Sequence, residues 1–126
     1  MNVPADLRYS SDHEWILQDG NVVTIGVTDY AQDSLGDIVF VEAPEPGTTV
    51  AVGDSFSEVE STKSVSDIYA PVSGSIAEAN GALDDNPELL NSDPYGEGWI
   101  CRIEMSDPSQ LDGLMDAAAY TALTES

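Results

Sequence analysis

Residues 56–76, FSEVESTKSVSDIYAPVSGSI, contain the only lysine of the chain, Lys63, near their middle. Small polar residues surround this lysine, and the β-branched residues Val59 and Val65 flank it, a pattern typical of two strands that meet at a tight turn. The stretch therefore predicts a β-hairpin, at about 56–76, with Lys63 at its tip. A lysine in this position offers a primary amine on a flexible stem, which an enzyme could acylate.

The composition of the chain gives this lysine unusual weight. The 126 residues include 24 aspartates and glutamates but 3 lysines and arginines, for a formal net charge of −21. An exposed lysine in a turn is ordinarily a solvated polar residue without a task. In a chain so poor in lysine, the single lysine that remains is expected to have a specific function, and we interpret Lys63 as a modification site.

The acidity also limits the partners of the protein. A surface of this charge repels the phosphates of nucleic acids and of anionic membranes, which excludes both as ligands. The acidic residues are spread along the chain, and concentrated salt screens their repulsion. We therefore interpret them as a solvation strategy of a halophilic organism, and the self-repulsion leads us to expect a monomer in dilute solution.

The length predicts a single domain over residues 1–126. Residues 1–12 lack the apolar core of a signal peptide, and no apolar run approaches the ~20 residues of a membrane span, so we expect a cytoplasmic protein. Cys101 is the only cysteine. A disulfide within the chain and a cysteine zinc site are thereby excluded, and a buried small hydrophobe is the expected role.

The first part of the chain predicts short strands and one helix. Residues 13–17 and 21–27 are predicted strands joined by a tight turn at Gly20. Thr28 is placed to cap a short helix that ends at Gly36, and a strand over 37–42 follows. Alternate positions of the second strand form one apolar face: Val23, Ile25 and Val27.

Beyond the hairpin, residues 68–76 alternate as a strand in which Pro71 indicates an edge position or a bulge. One helical turn is predicted over 86–91 and a strand over 99–105. Asp107-Pro108 is a helix start, so we expect one or two helices over about 107–124 that cover a face of the sheets. Their apolar residues lie at helical spacings: Leu111, Leu114, Met115, Ala118 and Leu123. The strand pattern as a whole predicts a flattened barrel or sandwich.

The sequence contains no self-contained active site. His13 is the sole histidine, and the GxSxG motif of a nucleophile elbow is missing. The acidic residues within 84–88 do not follow the spacing of a calcium loop, and we expect no bound metal. One displayed amine without a catalytic constellation indicates a carrier rather than an enzyme.

An ordered series of segments is similar to the H-protein family of the glycine cleavage system, whose members are lipoyl carriers. The resemblance spans nearly the whole chain and includes HEW (13–15), IGVTDYAQ (25–32), LGDIVFV (35–41), PEPG (44–47), VESTKSVSDI (59–68), APVSG (70–74), PYG (94–96) and GW (98–99). It implies a mainly β fold of the lipoyl- and biotinyl-carrier type: a flattened barrel-sandwich hybrid of two antiparallel sheets, with a short helix after the first hairpin and C-terminal helices.

The resemblance also implies roles for individual residues. Lys63 would carry lipoic acid as a covalent cofactor, and Glu60 and Gly74 would help a lipoylating enzyme to recognise the hairpin. Glu14 and Asp67 match positions that lie near the loaded arm in the family, although a purely structural role for Glu14 stays open. The remaining candidate contact is Asp12, which stands where relatives often have serine.

The resemblance further implies a reaction cycle. A pyridoxal-phosphate-dependent glycine decarboxylase loads an aminomethyl group on the lipoyl arm, and a tetrahydrofolate-dependent aminomethyltransferase removes it. Dihydrolipoamide dehydrogenase then reoxidises the arm.

Three other classes of protein stay open at this point. A lipoyl domain of a 2-oxoacid dehydrogenase complex normally has Asp-Lys-Ala at its tip, whereas this chain has Thr62-Lys63-Ser64. A biotin carrier would have methionine on both sides of the lysine. An unmodified interaction module, in which Lys63 docks to an acidic partner, is the third possibility.

Overall fold

The computed structural model of the protein describes residues 3–125. The strands within this range are β1 (Arg8–Tyr9), β2 (Glu14–Asp19), β3 (Val22–Val27), β4 (Ile38–Val41), β5 (Thr49–Val50), β6 (Ser55–Ser61), β7 (Val65–Tyr69), β8 (Gly74–Ala79) and β9 (Cys101–Met105). The helices are α1 (Asp29–Leu35), α2 (Ala82–Asp85), α3 (Leu89–Ser92), a 3-10 helix (Pro108–Gly113) and α4 (Ala117–Glu125).

The strands form two antiparallel sheets. The larger sheet has six strands in the order β1-β2-β3-β9-β8-β5, and the smaller sheet has three in the order β4-β6-β7. The sheets remain separate and do not close into a barrel. The predicted fold class, mainly β with two antiparallel sheets and short helices, is confirmed.

The main core lies between the two sheets, and its burial follows the strand alternation. The predicted apolar face of β3 is buried, and Cys101 packs in the same core as a free thiol. The larger sheet also contributes Ile16, Ile76 and Ile103, and the smaller sheet contributes Ile38, Val41, Val59 and Ile68. Both sheets therefore depend on one shared apolar layer.

The first hairpin and the helix after it form as predicted. Gly20 has a φ of 63°, which suits the tight turn between β2 and β3. Thr28 caps α1, since its side chain accepts a hydrogen bond from the Ala31 amide. Gly36 ends the helix with a φ of 80°, a conformation that favours glycine.

The prediction of one continuous strand over 68–76 is wrong. β7 ends at Tyr69 in the smaller sheet, and β8 begins at Gly74 in the larger sheet. Pro71 has no amide hydrogen for a strand ladder and lies in the crossing between them. Every second residue from Ile68 to Ile76 is nevertheless buried, because both sheets face the same core. One alternating pattern therefore spans two strands.

The region before β9 contains more helix than the sequence predicted. The turn predicted over 86–91 forms slightly later, as α3, and α2 precedes it without a prediction. Asn80 starts α2, since its Oδ1 accepts a hydrogen bond from the Ala82 amide at 3.1 Å. An asparagine two residues before a single helical turn is too weak a signal to predict that turn.

The predicted C-terminal helices form, but the prediction that Ala118 and Leu123 face the sheets is wrong. Both side chains are exposed, and over residues 117–124 of α4 the buried side chain is that of Tyr120. Its ring stacks on Tyr9 of β1 with a centroid distance of 4.7 Å. The spacing of aliphatic residues does not predict which face of α4 is buried, because the buried residue is a tyrosine, whose hydroxyl also forms hydrogen bonds. None of the helices in the described part of the chain is both long and apolar enough to cross a bilayer.

Candidate modification site

Lys63 lies in the turn of the hairpin that β6 and β7 form, as predicted. The buried Ser61 organises this turn. Its hydroxyl oxygen accepts hydrogen bonds from the amides of Lys63, at 3.2 Å, and Ser64, at 3.1 Å. The Thr62 amide donates to the carbonyl of Asp37 at 3.1 Å, which ties the tip to the start of β4. The backbone that carries Lys63 is thus fixed by groups other than the lysine side chain.

The side chain of Lys63 is exposed and extends over the end of α1. A Cβ atom added at Gly36 would lie 2.9 Å from Lys63 Cε, so the stem of the lysine passes close to this glycine. Among residues 3–125 the lysine forms no ion pair; the pair that does form joins Arg102 to Glu78. The amine is therefore accessible to a modifying enzyme.

A groove of about 290 Å³ runs between α1 and β7. One end of the groove lies beside the lysine, because Leu35 lines the groove and the Lys63 stem passes over Gly36, the residue after it. The groove has apolar walls and two carboxylates. Its lining residues are Asp12, His13, Val27, Tyr30, Ala31, Ser34, Leu35, Ser66, Asp67 and Ile68. Such a lining suits an aliphatic chain that ends in a positive charge.

The structure brings two of the three predicted arm contacts together. Asp12 and Asp67 are both exposed and both line the groove. They reach it from different elements, since Asp12 precedes β2 and Asp67 belongs to β7, an edge strand of the smaller sheet. Two carboxylates that line one groove give it a negative potential, which would stabilise a small cation.

Glu14 is separate from these residues, because it is buried at 1% exposure and does not line the groove. Its Oε1 accepts a hydrogen bond from the Ser10 hydroxyl at 3.0 Å, and its Oε2 accepts one from the Tyr69 amide at 2.7 Å. Glu14 belongs to the larger sheet and Tyr69 to the smaller one. The carboxyl group of Glu14 therefore fixes the end of the strand that carries Asp67.

Burial raises the pKa of Glu14 to about 8, although its hydrogen bonds with Tyr69 and Ser10 act in the opposite direction. The folded protein then retains a proton on Glu14 between about pH 4.5 and pH 8, where the unfolded chain has lost it. Proton binding to the folded state means that the free energy of unfolding falls as the pH rises through this range.

We expect Glu14→Gln to remove this pH dependence. Between pH 5 and pH 8 the free energy of unfolding of the wild type should fall by on the order of 3 kcal/mol more than that of the variant. Urea titrations at several pH values measure the difference, and the exposed carboxylates contribute equally to both proteins. Parallel curves for the two proteins would show that Glu14 titrates normally.

The sequence gives no sign of a set of hydrogen bonds beside the groove. His13 has a φ of 66° and its Nδ1 lies 2.9 Å from the Tyr120 hydroxyl, which lies 2.7 Å from Thr28 Oγ1. Because Thr28 also caps α1, these bonds join α4 to α1 and to the segment that carries His13. Burial lowers the pKa of His13, an effect that Asp12 opposes. His13 and Tyr120 are 107 positions apart in the sequence, so no local pattern could predict their hydrogen bond.

The two predicted recognition residues lie in different sheets. Glu60 is exposed on β6, three residues before the lysine. Gly74 is buried in β8, paired with Val50 and Met105. A Cβ atom at Gly74 would overlap the carbonyl oxygen of Glu104. Close packing of two strand backbones is therefore an independent reason for a glycine at this position.

Comparisons with known proteins agree over nearly the full length of the chain. The family model described as Glycine cleavage H-protein matches residues 7–126. The glycine cleavage system H protein of Symbiobacterium thermophilum is 56% identical over 124 residues, which cover 98% of this chain and 97% of that protein. The H protein of Halorhodospira halophila is 54% identical over 122 residues, which cover 96% of this chain and 94% of the relative.

A solved structure agrees as well. The crystal structure of a glycine cleavage system H protein from Mycobacterium marinum superimposes with a TM-score of 0.89 at 42% sequence identity. The superposition covers 98% of this chain and 100% of that one. The similarity therefore includes both sheets and the C-terminal helices.

Proposed function

Because the chain belongs to the glycine cleavage H-protein family, we propose that it carries the aminomethyl intermediate of glycine breakdown on a lipoyl group attached to Lys63. Membership of the family makes the chain a non-catalytic carrier component of the glycine cleavage system. The lipoyl domain of a 2-oxoacid dehydrogenase complex, the biotin carrier and the unmodified module are not favoured, since the match extends over nearly the whole chain.

The observation that carries the proposal is the presentation of Lys63. The amine stands at the tip of a hairpin whose turn is held by Ser61, and it forms no ion pair within the described range. Intact-mass measurement and peptide mapping of the protein from its native cells test the proposal. We expect the mass increment of one lipoyl group on Lys63; protein that is active in glycine cleavage without that increment would contradict the attachment.

The groove beside α1 supports the proposal that the loaded arm lies against the protein surface. The aliphatic part of the arm would lie against the apolar walls, and the aminomethyl ammonium would face Asp67 and Asp12. A charge-assisted contact of this kind is strongest where water is excluded. Glu14 supports the same arrangement indirectly, because its bond to the Tyr69 amide fixes the strand of Asp67.

The proposed cycle requires four enzymes to reach Lys63 or its arm. The lipoylating enzyme attaches the arm, the pyridoxal-phosphate-dependent decarboxylase loads it, the tetrahydrofolate-dependent aminomethyltransferase unloads it, and dihydrolipoamide dehydrogenase reoxidises it. A carrier suits this sequence because a tethered intermediate visits several active sites without release into solvent. A monomer is expected from the net charge of −21; the cytoplasmic location stays a prediction.

We expect Asp67→Asn to shorten the lifetime of the aminomethyl-loaded carrier. Without the carboxylate the ammonium loses one charge partner, and the loaded arm spends more time in water, where the intermediate decomposes. Because Asp67 is exposed, the expected increase in decay rate is roughly two- to fivefold.

Ammonia release from loaded carrier, in the absence of aminomethyltransferase, measures this rate. The matched control is Asp33→Asn, which removes an exposed carboxylate of α1 that does not line the groove. Equal decay rates in wild type, Asp67→Asn and Asp33→Asn would remove the support for Asp67 as a charge partner.

A further inference from the structure

His13 is the only histidine of the chain, and its half-buried side chain lines the groove between α1 and β7. The backbone of His13 is fixed on both sides: its amide donates to the Ser10 carbonyl at 3.2 Å, and its carbonyl accepts from the Thr28 amide at 3.1 Å. The ring packs against Tyr30 of α1 with a centroid distance of 4.6 Å. These contacts hold the histidine ring at the groove.

A chain of hydrogen bonds assigns the hydrogen of this ring to one nitrogen. The buried Thr28 hydroxyl accepts a bond from the Ala31 amide at 3.2 Å. Its own proton is therefore directed to the Tyr120 hydroxyl, 2.7 Å away, and the proton of Tyr120 points to His13 Nδ1 at 2.9 Å. Because Nδ1 accepts this bond, the ring hydrogen lies on Nε2 and the ring is neutral.

A second proton on the ring would have to bind at Nδ1. The Nδ1–H group and the Tyr120 O–H group would then face each other, unless every bond of the chain reversed. A reversed chain takes from the buried Thr28 proton the partner that it has now, which is unfavourable inside a protein. Burial also lowers the pKa of His13, although Asp12 acts in the opposite direction. The surroundings of His13 therefore favour the neutral ring.

The titratable groups that line the groove or contact the ring come from four parts of the fold: Asp12 before β2, Asp67 on β7, Tyr30 on α1 and Tyr120 on α4. The carboxyl group of Glu14, the next residue, bonds to Ser10 and Tyr69 instead. Lys63 brings a positive charge to one end of the groove, and acylation removes that charge. The ammonium of a loaded arm would then enter a groove in which His13 is neutral.

We propose that the proton of His13 and the ammonium of the loaded arm oppose each other in the groove, so that the arm is held where His13 is neutral and released where it is protonated. This inference rests on the proposed function, which puts the loaded arm in this groove. Like charges at short range repel, and the more so where water is partly excluded. The switch itself only moves one proton between water and Nδ1.

The opposition is reciprocal. If a proton on His13 weakens the binding of the ammonium by some factor, the ammonium weakens the binding of the proton by the same factor. The titration of His13 therefore reports the interaction in the wild-type chain. Asp12 and Asp67 attract both cations, which changes the pH at which His13 titrates but not the sign of the repulsion between the two positive charges.

The test follows the His13 ring by nuclear magnetic resonance through a pH titration, without signals from a second histidine of the chain. The lipoyl arm is reduced and alkylated with 2-bromoethylamine, which gives a stable ammonium, or with 2-bromoethanol, which gives a neutral control of similar size. In both reactions a thiolate sulfur of the arm displaces bromide. The buried Cys101 does not react, and intact mass shows that both forms carry the same number of groups.

We expect His13 to titrate about half a pH unit lower, or more, in the ammonium form than in the hydroxyl form, about a threefold loss of proton affinity. Equal titration midpoints in the two forms would overturn the inference. A different result concerns the proposed function. If protein from the native cells carries no lipoyl group on Lys63, the proposed function fails, and this inference fails with it.

Tyr120→Phe tests the hydrogen-bond chain. The variant removes the hydroxyl that donates to Nδ1, so His13 should titrate at a higher pH than in the wild type. An unchanged midpoint would show that the chain does not keep the ring neutral. Should Tyr120→Phe not fold, the two alkylated forms of the wild type decide the result.

His13→Asn tests the release of the arm by acid. Asparagine tolerates the positive φ of 66° at this position and does not titrate. Relative to this variant, the decay rate of the aminomethyl-loaded wild type should rise about threefold between pH 8 and pH 5, since the ratio cancels the pH dependence of the chemistry. Ser34→Ala, a change at another groove residue, should follow the wild type at every pH. A ratio of wild type to His13→Asn that is constant with pH would contradict the inference.

Discussion

A Lys63→Arg variant will carry no lipoyl group and will not support glycine cleavage, although it will fold as the wild type does. The guanidinium group stays protonated at every physiological pH, so its nitrogens have no free electron pair with which to attack an acyl donor. The side chain of Lys63 is exposed, and the turn is held by Ser61 and by the Thr62 amide. The change in unfolding free energy should therefore stay within about 0.5 kcal/mol.

A relocated lysine provides the control for this variant. Lys63→Arg/Arg8→Lys keeps one lysine in the chain but moves it to Arg8, an exposed position on β1. Intact mass after incubation with the lipoylating enzyme, and the glycine cleavage rate of the reconstituted system, should both stay at background for this protein. Modification of the moved lysine at the wild-type rate would show that hairpin presentation is not needed.

The second large effect is expected for Gly74→Ala, which should lower the free energy of unfolding by about 2 kcal/mol or more. The added methyl group would overlap the carbonyl oxygen of Glu104, a backbone atom that cannot move unless β8 and β9 separate. Gly81→Ala is the matched control, since a Cβ atom at Gly81 has no neighbour within 4 Å. Urea unfolding of both variants measures the difference, and equal stability would contradict the close approach of the strands.

The same variant distinguishes two roles for Gly74. If the residue is needed for recognition by the lipoylating enzyme, folded Gly74→Ala at low temperature should be a poor substrate. If its role is close packing, the rate of lipoylation should follow the folded fraction measured by circular dichroism. The position of Gly74 in the larger sheet leads us to expect the second result.

The elements that form as predicted are those whose sequence signals are local. The turn at Lys63, the cap at Thr28 and the stop at Gly36 depend on residues within a few positions of one another, and the structure contains all three. The amine at the tip follows from the same local pattern. Much of the candidate modification site was therefore visible in the sequence alone.

The remaining features depend on contacts between distant residues. A carboxylate after a histidine gives no sign that it will be buried against the Tyr69 amide, 55 positions later. Tyr120 likewise gains its role from His13 and Thr28. The exposure of Phe40 was also unexpected, because an apolar strand residue is assumed to face inward; an irregularity in register next to Val39 changes the alternation.

The shape of the turn at Lys63 does not depend on which side chain stands at position 63. One serine hydroxyl and several backbone bonds set the shape of the tip, and the displayed side chain takes no part in it. The scaffold can therefore serve as a mount for synthetic cargo. A Lys63→Cys variant could be joined to thiol-reactive linkers of graded length, and the shortest linker that reaches from one enzyme active site to another would measure the distance between them. The buried Cys101 is out of reach of the reagent.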